Sequence, residues 1–298
     1  MDKAIESWPM IHASLAFFAL MMTIISFWVK RSPWIWGGFL TFAFVLGYFA
    51  NLITPIALAP IGALLFLHII LASDLKGIAR LILFLLAAAI SLGLLAHKFP
   101  GFEGVAVFKR IRVSPGAMPY SLYLNFDKPF IGIFVLACGL PLIKNVGQLE
   151  RVLKTALPLS IGGIAIMIYF SLFSGMIRWD PKYTPRIWFF AIENLIFVSI
   201  IEEAFWRGFL QNEFFRWFGR KGYLANVGCV LVTALLFGAL HYLFVPSPMF
   251  VALAVIAGVV YGSIYQFTRA IEASILCHWL LNLTHFALFT YPVLQSAL

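Results

Sequence analysis

The sequence predicts an all-α protein, a polytopic bundle of transmembrane helices that encloses a polar intramembrane cavity. Of its 298 residues, 62% are hydrophobic and 11% are charged, whereas about half of a soluble globular domain is apolar. Apolar runs of about 20 residues, the length that crosses a bilayer, recur along the whole chain. The excess of 21 Lys and Arg over 12 Asp and Glu lies mainly in connections between these runs, which is typical of inner-membrane proteins and not of nucleic-acid binding.

Ten apolar segments are predicted as helices. In chain order they are residues 10–29, 34–52, 55–72, 78–96, 130–143, 154–175, 187–217, 223–243, 249–268 and 272–290. Segment 130–143 is too short to cross a hydrocarbon core of about 30 Å, so we expect a re-entrant or buried piece there. Pro55 and Pro60 weaken the third segment as a span.

One long connection, at about residues 97–129, separates the fourth segment from the fifth. It carries five Lys and Arg residues and alternating apolar side chains at Tyr120, Leu122, Leu124 and Phe126, which predict a strand or an interfacial flap. The loop either guides substrate or meets lipid headgroups, or it is an ordinary solvated loop. Basic residues beside membrane spans are common, which favours the ordinary solvated loop.

Ionisable residues interrupt the apolar segment 187–217. Glu202, Glu203 and Arg207 lie within six positions, and because charge inside a span costs a few kcal/mol or more, they predict a functional site. Residues four apart share a helix face, so Glu203 is predicted to pair with Arg207. Glu202 is turned about 100° away, which makes it the candidate general base, with Glu203 and Arg207 as its support.

Two further polar pairs lie on later segments. Phe237 stands one helical turn before His241 and is expected to wall the cavity beside it. His278 and Asn282 are also four apart, so their side chains point in the same direction.

A predicted turn allows the depths of Glu202 and His241 in the membrane to be compared. Gly219 and Gly222 indicate a turn, with Glu202 17 residues before it and His241 19 residues after it. At 1.5 Å per residue, both lie about 26–28 Å from the turn. In an antiparallel helix pair, Glu202 and His241 are therefore expected at about the same depth.

Three motifs of this chain resemble those of a known family, the CPBP intramembrane proteases. The family includes CAAX prenyl endopeptidases of the Rce1 type and bacteriocin-processing or self-immunity relatives. The resemblance extends from Pro185 onward, so we expect N-terminal transmembrane helices in residues 1–180 and a CPBP-like catalytic helical core in 181–298. The matching motifs are Glu202-Glu203-xxx-Arg207, Phe237-xxx-His241 and His278-xxx-Asn282.

The resemblance implies a glutamate protease that works in a water-filled cavity among its helices. Glu202 with His241 would activate a water molecule, and His278 with Asn282 would stabilise the oxyanion. An amide and an imidazole on one helix face are suitable donors for that purpose. No metal or other cofactor is expected.

The same resemblance, with the composition, sets the expected partners and location. We expect the lipid bilayer and a peptide or membrane-protein precursor, with or without an attached lipid, as partners, and no nucleic acid. The expected location is the cytoplasmic (inner) membrane of a prokaryote, in which the chain is a multi-pass protein.

Two other interpretations stay open at the level of sequence. Glu202, His241 and His278 supply three ligands of the kind that a catalytic zinc ion uses, although the chain has no HExxH helix. Alternatively, a non-proteolytic scaffold, transporter or immunity protein could keep the motifs for packing or for a partner. The intact motif set argues against this second alternative.

Overall fold

The computed structural model of the chain describes residues 2–219 and 222–298, with side chains from residue 10 onward. The all-α prediction is confirmed, since helices account for nearly all of the regular structure. The helices are α1 Asp2–Val29, α2 Pro33–Phe49, α3 Leu58–Leu71, α4 Gly77–Leu95, α5 Pro129–Ala137, α6 Val146–Phe173, α7 Arg186–Glu193, α8 Ile200–Glu203, α9 Asn212–Phe218, α10 Tyr223–His241, α11 Pro248–Thr268 and α12 Ile271–Leu288.

The helical membrane character is also confirmed. Among the described residues, five helical segments are long and apolar enough to cross a membrane: Met10–Val29, Gly77–Leu95, Val146–Phe173, Tyr223–His241 and Pro248–Thr268. Two further apolar helices, Pro33–Phe49 and Pro55–Leu71, are shorter. The protein is therefore an integral membrane protein with several spans.

The fifth predicted segment is a buried piece and not a span. Helix α5 has 9 residues, about 13 Å at 1.5 Å per residue, and every residue from Pro129 to Leu136 is buried. Phe130 stacks on Phe44 at 5.3 Å and meets Phe126 edge to face at 5.9 Å. Because this helix is short and apolar on all sides, surrounding protein buries it.

The alternating residues of the long connection form a strand, as predicted. Strand β1 spans Gly104–Ile111, strand β2 spans Tyr120–Asn125, and the two pair in a two-stranded sheet. Leu122 is buried on β2, and Phe126, just beyond the strand, has 0% of its surface exposed. The connection is therefore partly packed into the protein.

The chain separates into two compact units. Unit 1 comprises Met1–Val107 and Leu122–Leu140, and unit 2 comprises Phe108–Ser121 and Pro141–Leu298. This division falls after Leu140, before the boundary expected at residue 180, and the functional division at 180 stays a prediction. All the motif residues lie in unit 2.

The helical stretch that carries the first motif is irregular. Between α7 and α9, residues Asn194–Ser199 and Ala204–Gln211 form π-helical segments, with α8 between them. Such segments are rare and occur frequently at functional sites. Helix α9 ends at Phe218 and α10 begins at Tyr223, on either side of the predicted turn, in which Arg220 and Lys221 lie outside the described residues.

Candidate active site

A fully buried ion pair lies at the centre of the site. Nη1 of Arg207 donates to Oε1 of Glu203 at 2.9 Å, and both side chains have 0% of their surface exposed. The pairing predicted from their spacing of four is thus confirmed. A buried charge is costly unless a partner and hydrogen bonds offset it, so each member of this pair depends on the other.

Helix α11 holds the guanidinium of Arg207 in place. Nη2 of Arg207 donates to the carbonyl oxygen of Gly258 at 3.0 Å. A Cβ at Gly258 would lie 3.0 Å from Ala234, so glycine at this position allows α11 to pack closely against α10. The guanidinium also lies over the rings of Phe237 and Tyr261, at 4.9 and 5.2 Å from their centres.

Glu203 binds His278 as well as Arg207. Nδ1 of His278 lies 2.8 Å from Oε1 of Glu203, and the imidazole is 3% exposed. The ring of Tyr261 stacks on it at 4.6 Å with an interplanar angle of 14°. These contacts fix both the position and the plane of the imidazole.

This hydrogen bond has a chemical consequence for His278. A carboxylate that is ionised beside an arginine can only accept, so Nδ1 of His278 carries the proton. In the neutral ring Nε2 is then an acceptor, and it donates only when the ring is an imidazolium.

The second motif is also folded into the site. Nδ1 of His241 donates to the carbonyl oxygen of Phe237 at 2.8 Å, and the two rings lie 4.4 Å apart. Phe237 also meets His278 edge to face at 6.1 Å, so its ring lies near both histidines, and its role as a cavity wall stays a prediction. Since Nδ1 of His241 is the donor nitrogen, Nε2 is the acceptor nitrogen of the neutral ring.

Glu202 differs from its neighbour in burial. It is half-buried where Glu203 is fully buried. The half-buried Glu202 and His241 are therefore more accessible than the fully buried Glu203 and Arg207.

Asn282 has a partner that sequence reasoning missed. Its Nδ2 donates to Oδ1 of Asn194 at 3.2 Å, and Oγ of Ser199 donates to the same oxygen at 3.2 Å. Asn194 and Ser199 are the first and last residues of the first π-helical segment, and both are buried. The sequence signal was a buried amide in an apolar span, eight positions before Glu202.

The acidic and histidine side chains of the site do not form a metal-binding cluster. Among the described side chains, which begin at residue 10, no three His, Cys, Asp or Glu residues are grouped so that they could hold a metal ion. The polar side chains of the candidate site, beside Arg207, are two carboxylates, two imidazoles and two amides, all in unit 2.

Comparison with known proteins points to the same stretch of the chain. Residues 184–284 match the family model of type II CAAX prenyl endopeptidase Rce1-like proteins. The resemblance of the three motifs is thereby confirmed. The Rce1-like match covers about a third of the chain and contains every motif residue, and the family it names is one of peptidases. Searches of curated proteins and of solved structures found no significant match.

Proposed function

We propose that the chain is an intramembrane glutamic endopeptidase that cleaves a peptide or membrane-protein precursor in a prokaryotic cytoplasmic membrane. The observation that carries the proposal is that Glu203 holds both Arg207 of its own helical stretch and His278 of α12, with Phe237 of the second motif beside both partners. The Rce1-like match supports peptidase chemistry for the same residues. No lipid on the substrate is needed for the argument.

Activation of the water molecule is assigned to Glu202 and His241. Glu202 accepts one proton of the water, and Nε2 of His241 accepts a hydrogen bond from the other, while the oxygen attacks the peptide carbonyl. Glu202 then gives its proton to the leaving amine, so protons balance over the cycle. This assignment uses Glu202 and His241 because they are half-buried, whereas Glu203 is fully buried.

Stabilisation of the oxyanion is assigned to His278 and Asn282. Since Nδ1 of His278 is committed to Glu203, the donor to the oxyanion is Nε2 of the imidazolium. The Glu203 carboxylate stabilises that cation as the buried aspartate of a Ser-His-Asp triad stabilises its histidine. One amide hydrogen of Asn282 is donated to Asn194. That bond orients the amide, so that the second amide hydrogen is available to the oxyanion.

Glu202→Gln is the decisive variant, because the amide has the same shape but cannot accept the proton. Membranes from cells that express the wild type, Glu202→Gln or the exposed-site control Glu150→Gln are compared by sequencing of newly formed protein termini. Fragments are expected in the wild type and in Glu150→Gln, with a loss of about 10²-fold or more in Glu202→Gln.

The competing functions give different results in the same experiment. A non-proteolytic scaffold or immunity protein would leave the pattern of termini unchanged in all three samples. Near wild-type cleavage by folded Glu202→Gln would refute the assignment of the base.

A further inference from the structure

A pocket of about 680 Å³ lies in unit 2, among the non-helical segments that follow α6 and α12. Its walls come from residues 112–116, 178–180 and 290–296, which include Arg112, Arg178 and Trp179. This volume is within the range of small-molecule sites in proteins. None of the motif residues lines the pocket.

Backbone hydrogen bonds tie the three wall segments together. Thr290 N donates to Arg178 O at 2.9 Å, Leu294 N donates to Met176 O at 2.8 Å, and Gln295 N donates to Gly116 O at 2.9 Å. The C-terminal segment is therefore bonded to each of the other two. A site made of such segments is largely formed before a ligand arrives, which lowers the entropy cost of binding.

The pocket carries a net positive charge. Asp180 is bound by Lys182 at 3.1 Å, so this acid and this base compensate each other. Burial opposes the charge of Asp180, but hydrogen bonds from Ser114 and Lys182 outweigh it and hold the pKa of the carboxyl below its usual range. Within the described part of the chain, the guanidinium groups of Arg112 and Arg178 have neither an ion pair nor a hydrogen bond.

Aromatic side chains place this pocket at the membrane surface. The wall segment 178–180 begins five residues after Phe173, where a candidate span ends. Trp179 is 64% exposed, and Tyr183 and Trp188 on the following stretch are exposed as well. Tyr and Trp collect where the acyl chains meet the headgroups. At such a position, the two guanidinium groups are expected at the level of the lipid phosphates.

We propose that this pocket binds the phosphate of an anionic phospholipid, with Arg112 and Arg178 as its ligands and Trp179 against the glycerol and upper acyl chain. A guanidinium matches a phosphate with two parallel N–H···O bonds, so two arginines give both charge and geometry. The site is separate from the peptidase residues and does not rest on the proposed catalytic function.

The test measures lipid retention by the purified full-length protein with native mass spectrometry and lipid-dependent melting. The site variant is Arg112→Gln with Arg178→Gln. The matched control, Lys144→Gln with Arg151→Gln, removes the same charge from exposed positions near the start of α6. Phosphatidylglycerol, phosphatidylcholine and inorganic phosphate are titrated separately. All four positions tested are exposed, so both variants are expected to melt like the wild type without lipid.

We expect phosphatidylglycerol to bind the wild type and the control alike, and the site variant about 30-fold more weakly. Phosphatidylcholine and millimolar inorganic phosphate should leave melting unchanged. Equal binding by the site variant, or equal binding of both phospholipids, would overturn the proposal. Saturation by inorganic phosphate would show a free-anion site instead. Unchanged lipid binding with a raised KM for peptide cleavage would assign the pocket to a substrate carboxylate, which also overturns it.

Discussion

Glu203→Gln is expected to destabilise the protein by about 3 kcal/mol. Removing one partner of a buried ion pair costs about 3–5 kcal/mol, because the other charge is left buried without compensation. Here the stranded group is Arg207, which has no exposed surface. Arg207 keeps its hydrogen bond to the Gly258 carbonyl and its cation–π contacts with Phe237 and Tyr261. Buried cation–π contacts contribute about 2 kcal/mol. The loss is therefore expected at the lower end of the range.

The measurement is thermal unfolding of the purified protein in a single detergent. At about 2–4 °C per kcal/mol, the melting temperature of Glu203→Gln should fall by about 6–12 °C. The chain offers a matched control in Glu150, which pairs with Lys154 at the same spacing of four on an exposed surface. Glu150→Gln should shift melting by about 1 °C or less, because exposed pairs contribute little.

A double variant separates stability from catalysis. Glu203→Leu with Arg207→Met replaces the pair by apolar side chains of similar volume, which is often neutral or stabilising. We expect it to regain most of the lost melting temperature and to stay inactive, because nothing then holds the His278 imidazole. Melting of Glu203→Gln within about 1 °C of the wild type, or full activity of the double variant, would refute the reasoning.

Further predictions concern the oxyanion donors and the metal alternative. Asn282→Ala should lower kcat by about 10²–10³-fold with little change in KM, and a raised KM with unchanged kcat would point to substrate binding instead. Asn194→Ala should lower kcat by about 10–100-fold, and Asn194→Asp, which keeps the acceptor for Asn282, should recover part of it; no recovery would indicate a merely structural role. Chelators should leave cleavage unchanged. Activity lost to chelation and restored by zinc would instead favour a metal site at Glu202, His241 and His278.

Much of the fold followed from local properties of the sequence. The free energy of placing a segment in lipid depends on its own composition and length, so apolar runs predicted the helices and the short run at 130–143 predicted a buried piece. The Glu203–Arg207 pair was predictable for the same reason, because one helical turn brings the two residues together.

The connections between the motifs depended on the tertiary structure. His278 is 75 positions from Glu203, and Asn282 is 88 positions from Asn194. Which nitrogen of His278 carries the proton depends on that first contact. The spacing of residues along the sequence does not show these contacts. The π-helical segment that begins at Asn194 changes the angle between successive side chains. Helical periodicity relates residues along one element, whereas the rotation and depth of one helix against another come from packing over the whole unit. The sequence therefore determined which polar groups the site contains, and the packing of α11 and α12 against the α7–α9 stretch decided how they are joined.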